Sequence, residues 1–414
     1  MSDCYLDSKI LTQCYGCEAC AQACNKNAIT MIEDDEGFRY PHVDAELCVH
    51  CGLCRVVCPH SNPPKRFYEE KYAYGGYHKD AGIRAESTSG GAFSAIVDAW
   101  CDDNYVIFGA VADGLSVRHE YITDKKMLGK FRKSKYSQSV MGTAYSDARR
   151  FLREGKKVLF SGTPCHIAAL KSFLRGKLYE NLLMVEVVCE GVPSPLYVRK
   201  YGSYLQQKYS STIRNLDYRY KDSSSLQSKD RITSGKWDFQ VMRTVLKNGR
   251  ELKQDRWFNP FWSIWLNHLM SRPSCYECPF AGAERNADIT MGDLWGVHIY
   301  CPDLYGRNGG SSLVVCNSAQ GKTVWQKAQQ YMYGRELSFD TAVKYQGPMR
   351  SHIASNPLRD TFMSDLKTCD YLTINKKWAK RPTLKLFLQK YVWGNRQKVW
   401  LWNILRYLKI TSIK

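Results

Sequence analysis

The spacing of apolar positions changes along the chain, and each change marks an element. AITMI alternates apolar and polar residues, a DDEG turn follows at 34–37, and FRYPHVD answers it, which predicts a β-hairpin. From Tyr72 onward the pattern is mixed α/β. YAYGGYHK and YVIFGAVAD read as strands, the second with Gly109 inside it, and STSGGAFSAIVDAWCDD reads as a glycine-rich turn entering a helix. SDARRFLREG has the period of an amphipathic helix that stops at Gly155. KKVLFSG and NLLMVEVVC are the continuous apolar runs of strands buried on both faces. Between them PCHIAALKSFL starts a helix with Pro164 in its first turn, where a missing N–H costs nothing. This alternation predicts a mainly parallel sheet. HSNPPKR, at 60–66, reads as a linker, and 210–259 as a polar, strand-poor insertion with hairpins.

The last segment has its own pattern. Leu384, Phe387, Leu388 and Tyr391, then Leu401, Ile404, Leu405 and Leu408, keep helical spacing on either side of Gly394 and Asn395. Trp393, Trp400 and Trp402 lie among basic residues, which is the composition of a helix resting on an anionic membrane surface and too polar to span it. The same apolar face would also suit packing on the body or on a second subunit. The formal charge of +19 changes meaning here, because residues 376–414 hold eleven Lys or Arg and no acidic residue. The remaining body is modestly basic and suits docking of an acidic redox carrier such as a ferredoxin. With no recognised module or stacking platform interleaving the charge, nucleic-acid binding is disfavoured.

With 414 residues, two or three domains are expected. Seventeen cysteines, no secretory-type N-terminus and no run of eighteen apolar residues point to a reducing cytoplasm, with attachment through the tail to the inner face of the membrane as the alternative. Eight cysteines fall in two runs of equal spacing, Cys14, Cys17, Cys20, Cys24 and Cys48, Cys51, Cys54, Cys58, the second followed by Pro59. This is the ligand pattern of a ferredoxin with two 4Fe-4S clusters, in which the fourth cysteine of each run serves the other run's cluster. Three thiolates on one tight loop cap three corners, and a segment arriving from elsewhere must supply the fourth. Cluster one would take Cys14, Cys17, Cys20 and Cys58, and cluster two Cys48, Cys51, Cys54 and Cys24. Cys4, Cys101, Cys301, Cys316 and Cys369 lack ligand spacing and read as structural.

Further motifs lie in the body: STSGG at 87–91, KSKYSQS at 133–139, SGTPCH at 161–166, VVCEGVPS at 187–194, SCYECPF at 274–280 and ADITMGDLWG at 287–296. In this order they resemble the coenzyme F420 hydrogenase/dehydrogenase beta-subunit family, over about 70–320. The resemblance implies a multidomain α+β and α/β protein. Its parts would be a two-cluster ferredoxin module (1–62), regions like the family's N-terminal (70–150) and C-terminal (151–330) domains that bind FAD, and a basic helical tail (375–414). It implies that Ser87, Thr88, Ser89, Gly90 and Gly91 contact the flavin nucleotide, a role that a Ser/Thr-Gly-Gly turn at a helix start suits physically. Lys133, Lys135 and Tyr136 would add phosphate pairing and ring contact, and Ser161, Gly162 and Thr163 would line the flavin or simply form their turn. Asp293 would orient the cofactor or cap a turn. Cys165, Cys189, Cys275 and Cys278 form a candidate third 4Fe-4S site, with zinc or bystander thiols as the alternatives. Glu190 stands where relatives often carry histidine, which puts a proton-handling role there in doubt, and His166 reads as a helix residue. No nucleophile and base arrangement appears, so the cofactors would carry the chemistry. The expected activity moves electrons between ferredoxin-type clusters, FAD and a hydride carrier or organic substrate. The alternative is a relay subunit feeding a partner enzyme.

Overall fold

The computed structural model describes residues 4–67, 70–221, 241–304 and 309–381, and scattered positions from 383 to 408. The expected hairpin is β1 (Ile29–Glu33) against β2 (Arg39–Val43), with Ile29 opposite Val43. Its turn is tied by Asp34, whose Oδ1 accepts from the Glu36 and Phe38 amides at 3.0 and 2.8 Å.

The body is built on one large sheet. Its strands in chain order are β3 (Tyr72–His78), β4 (Tyr105–Asp113), β5 (Ser116–Ile122), β6 (Lys157–Gly162) and β7 (Leu182–Val187). A smaller sheet follows, of β8 (Ile213–Tyr220), β9 (Val241–Leu246) and β10 (Glu251–Asp255). The large sheet is completed by β11 (Ile289–Asp293), β12 (Ser312–Cys316) and β13 (Met332–Leu337). Spatial order in the large sheet is β13-β3-β12-β11-β7-β6-β4-β5. The parallel strands foreseen from the apolar runs are its centre, β4, β6, β7 and β11. Both flanks are antiparallel: β5 on one side and β12, β3 and β13 on the other.

Period-two alternation splits the core into two layers. Val106, Phe108, Val158, Phe160, Leu182 and Met184 face the helices Ala144–Arg153 and Pro164–Phe173. Ile107, Leu159, Leu183 and Val185 face the helices Ala92–Trp100 and Ala319–Ala328. Gly109 lies in β4 because a Cβ there would come within 2.7 Å of the Phe131 ring. A third core joins the small sheet to the helices Pro195–Tyr209 and Arg359–Thr368.

The segment read as strand-poor therefore carries three strands. Among its described residues, part of the polarity sits in ion pairs on the sheet, such as Arg243 with Asp217. The tail expected from 375 starts inside packed structure: Ile374 is buried in the helix Tyr371–Trp378, and the Trp378 ring packs edge-on against Phe362. Farther on, Leu384, Leu388, Val392, Trp400, Leu401, Tyr407 and Leu408 are exposed, while Phe387, Tyr391, Trp393, Gly394, Asn395 and Trp402 lie outside the described residues. Among the described residues no helix is long and apolar enough to cross a membrane.

Candidate redox-cofactor sites

The two cysteine runs fold as one device used twice. Gly16 and Glu18 adopt left-handed backbone in the first loop, and His50 and Gly52 do so at the matching places of the second, with φ between +51° and +74°. In each loop the second of these residues starts a short helix, Ala19–Ala23 or Leu53–Val56, and the two helices pack together. Non-glycine residues occupy left-handed backbone rarely, yet Glu18 takes the place that Gly52 holds in the other loop and His50 that of Gly16, so both loops keep one backbone path. Cys14, Cys17, Cys20 and Cys58 line one cavity, together with Cys54 of the second run and Cys4. Cys24 stands at the end of the first helix, its Sγ accepting from the Ala28 amide at 3.3 Å. Cys48 is half-buried and Cys51 exposed, so the cluster-two loop lies at the surface beside exposed Leu47 and Val49. Among the described residues no three His, Cys, Asp or Glu side chains converge on a point one metal ion could fill.

The module is sewn onto the body by buried polar contacts. Arg272, 1 % exposed, donates from Nε to the Cys14 carbonyl at 2.9 Å, from Nη2 to the Arg39 carbonyl at 3.1 Å and from Nη1 to Gln138 Oε1 at 2.9 Å. Gln138 Nε2 donates to the Tyr15 and Gly16 carbonyls, both at 3.1 Å. The Glu18 carboxylate accepts from the Met141 and Gly142 amides and pairs with Arg39. Gln22 accepts from the Tyr145 and Ser146 amides, satisfying donors at the start of Ala144–Arg153.

Cys165 lies in the first turn of Pro164–Phe173, Cys189 just after β7, and Cys275 and Cys278 in and after the short helix Pro273–Glu277. Strand ends and one loop thus bring together four thiols scattered over more than a hundred residues. Burial, and then the neighbouring Cys278, pushes Cys275 up to about 12. Cys165 is pushed up to about 11 by burial, with Cys278 adding to the rise, and burial with Cys275 and Cys165 raises Cys189 further. Thiols that raise one another's pKa are near neighbours. Four of them in a partly desolvated place are a donor set that bound iron would convert to thiolates. Tyr15 stands between this group and cluster one. Its ring packs with Phe280, Cys165 and Cys278, its OH lies 3.0 Å from His60 Nδ1, and Cys278, Cys58, Cys165 and Cys17 all act on its phenol.

The predicted nucleotide turn is a junction of the body. Ser87 Oγ donates to the Ile83 carbonyl at 2.7 Å, Ser89 Oγ to the Ser311 carbonyl at 2.7 Å, and the Gly90 amide to Ser312 Oγ at 2.9 Å. Thr88 Oγ1 accepts from the Ser134 amide at 2.7 Å, which ties this turn to the loop carrying Lys133, Lys135 and Tyr136. Gly90 has no room for a side chain, since a Cβ would come within 2.4 Å of the Gly76 carbonyl oxygen, and Gly91 has φ +90°.

Lys133 pairs with Asp217 at 3.2 Å. Lys135 donates to the carbonyls of Lys130, Phe131 and Arg132, and burial, then Lys133, draws its ammonium down to about 7. Tyr136 is enclosed by Tyr218, Trp262 and Trp265. Ser161 Oγ donates to the Phe108 carbonyl and its own carbonyl faces His119 Nε2 at 3.0 Å. Gly162 abuts His166, and Thr163 Oγ1 lies 3.1 Å from Cys165 Sγ. These three residues therefore belong to the edge beside the third thiol group.

Several residues at this place were not singled out from the sequence. Arg219, at the end of β8, holds Asp293 with both Nη atoms. Burial alone would raise the Asp293 carboxyl, but Arg219 outweighs it and holds it low. Lys221 Nζ reaches the Arg84, Ser89 and Gly309 carbonyls, and burial with Arg84 and Arg219 lowers it far below an ordinary lysine. Arg219 and Arg256 both lie 5.8 Å over the Trp295 ring, and Glu190 acts on Arg256 and His268. Turn, loop and small sheet thus gather Arg219, Lys221 and Arg256 beside Trp295, with Arg219 paired to Asp293 and Lys221 bonded to backbone carbonyls. The strict alternation in DYRYK, with Arg219 and Lys221 on one strand face, was the available clue.

Residues 155–338 match the family described as the C terminus of the coenzyme F420 hydrogenase/dehydrogenase beta subunit, and residues 13–62 match the 4Fe-4S dicluster domain. A search of curated proteins returns no match. Among solved structures the chain is similar to one from the F420-reducing [NiFe] hydrogenase complex of Methanosarcina barkeri. Identity there is 16 %, over 76 % of this chain and 92 % of that one, with a TM-score of 0.42.

Proposed function

We propose that this chain, in which a 4Fe-4S dicluster domain precedes a region matching the end of a coenzyme F420 hydrogenase/dehydrogenase beta subunit, is an iron–sulfur flavoprotein oxidoreductase. It passes electrons between ferredoxin-type clusters and FAD, and on to a hydride carrier or organic substrate. The observation that carries this reading is the succession of sites: a surface thiol loop at Cys51, the cluster-one cavity behind it, and Tyr15 between that cavity and the four body thiols. When bound, such clusters supply one-electron steps and a flavin converts them to two-electron chemistry.

The chain's own residues do the rest. The eight module cysteines would hold two clusters, and Cys165, Cys189, Cys275 and Cys278 a third. Tyr15 and Phe280 fill the space between the inner sites with rings and keep water out. Arg272 fixes the cluster-one loop against the body through the Cys14 carbonyl. Arg219, held by Asp293, and Lys133 would face the anionic nucleotide. The exposed tail would attach the protein to an anionic membrane surface from the cytoplasmic side, and the basic body would receive an acidic carrier.

A second reading, a relay subunit serving a partner enzyme, is favoured by one fact: the Ser87, Thr88 and Ser89 hydroxyls and the Gly90 amide are all engaged inside the protein. Anaerobic purification, denaturation and chromatography of the released chromophore separates the two. FAD at about one per chain supports the flavoprotein; full iron without flavin leaves the relay.

A further inference from the structure

Cluster one has more thiol around it than its motif needs. The cavity is lined by Cys14, Cys17, Cys20 and Cys58, by Cys54 from the other run, and by Cys4, which lies outside both runs. Cys4 is 1 % exposed, and its neighbours there are thiols. Its Sγ donates to Asp7 Oδ2 at 3.4 Å, and it shares the lining of this cavity with Cys58. The segment carrying it is strapped down. Asp7 pairs with Arg55, the neighbour of Cys54, and the Tyr5 ring lies 4.9 Å from the Tyr40 ring. Three corners of a cubane are served by one loop, and the fourth must be reached from another segment. Cys58 meets that condition, and so does Cys4, from a different segment that lines the same cavity.

We propose that Cys4 is a reserve ligand of cluster one, able to bind the fourth iron in place of Cys58. The exchange is redox-neutral. The Cys4 thiol gives up its proton as its sulfur bonds iron, and the Cys58 thiolate takes up a proton as its iron bond breaks. The inference rests on the dicluster reading, so the experiment tests the two separately.

The full-length protein is produced and purified anaerobically, and iron, acid-labile sulfide and low-temperature EPR are measured. Cys17→Ala should lose about four irons per chain; unchanged iron there would overturn the dicluster reading itself. Cys58→Ala should keep the wild-type iron content with a changed EPR line shape, Cys4→Ala alone should also keep it, and the double variant Cys4→Ala/Cys58→Ala should lose about four irons. Loss of about four irons from Cys58→Ala with Cys4 present would overturn the reserve ligand. Should Cys58→Ala be insoluble, Cys58→Ser carries the same comparison: a spectrum unaltered by adding Cys4→Ala counts against the proposal, and an altered one supports it.

Discussion

The dicluster module and the body build their candidate sites by opposite means. In the module each set of three ligands comes from one loop of seven residues, fixed by local backbone and repeated with the same left-handed positions. In the body the four thiols and the Arg219–Asp293 cluster come from strand ends, a short helix and a second sheet, so each draws on segments far apart in the chain. The charge divides the same way. Residues 1–62 carry nine acidic and four basic residues, whereas the rest of the chain supplies the whole basic excess. An acidic carrier would thus be steered to the body and a less acidic one to the module. Local sites tolerate change around them; assembled sites depend on the packing that brings their parts together.

The largest effect expected is on the local side. Cys20→Ala should remove cluster one, lower iron by about four per chain and abolish reduction of a body-bound acceptor by electrons entering at cluster two, as followed by anaerobic stopped-flow. Retained electron delivery would show that the body is fed by another route. Cys278→Ser should lower iron by about the same amount while the two-cluster EPR signature persists, and unchanged iron would strike out the third cluster.

Next comes the assembled Arg219–Asp293 cluster. Arg219→Ala leaves the buried Asp293 carboxylate without its partner and should cost about 3–5 kcal/mol in chemical denaturation, with loss of any bound flavin. Arg55→Ala, on the solvent-exposed pair of the module, should leave the denaturation midpoint where it was.

A smaller effect should appear on acidification. Burial draws His119 down to about 4, so between about 6.5 and about 4 the unfolded chain binds a proton that the folded chain refuses. Stability should therefore fall as pH drops through that window, by up to about 3 kcal/mol from this residue, and the fall should be shallower in His119→Gln. Urea titrations at several pH values measure it.

The smallest effect on folding should follow removal of the tail. Because packed structure extends through Trp378 and the Lys380 amide donates to Ser263 Oγ, the cut belongs after Arg381. The midpoint should not move, while sedimentation with anionic vesicles, weakened by salt in the full-length protein, should disappear. Full-length protein left in the supernatant at low salt would remove the membrane from the reading.

The eight module cysteines, the hairpin, the helices at 144–153 and 164–173 and the central apolar strands were legible in the sequence because ligand spacing, turn chemistry and period are properties of neighbouring residues. Cys165, Cys189, Cys275 and Cys278 were legible only as motifs; the fold alone makes them near neighbours. Arg219, Lys221, Arg256 and Arg272 were not legible, since a buried cation has meaning only through carbonyls and carboxylates that the chain supplies from far away. The same is true of Cys4, which by sequence is an isolated cysteine and in the fold lines the cavity of the first cysteine run. The sequence by itself determined which residues could bind iron in the module and which runs would form the sheet, because those depend on spacing of a few residues. Tertiary structure alone decided that the module is fixed to the body by Arg272, Glu18 and Gln22, that Tyr15 fills the gap between two thiol groups, and that the polar insertion delivers charge to the Arg219–Asp293 cluster. These are long-range pairings, and they exist only once the sheet has set the positions of its strand ends.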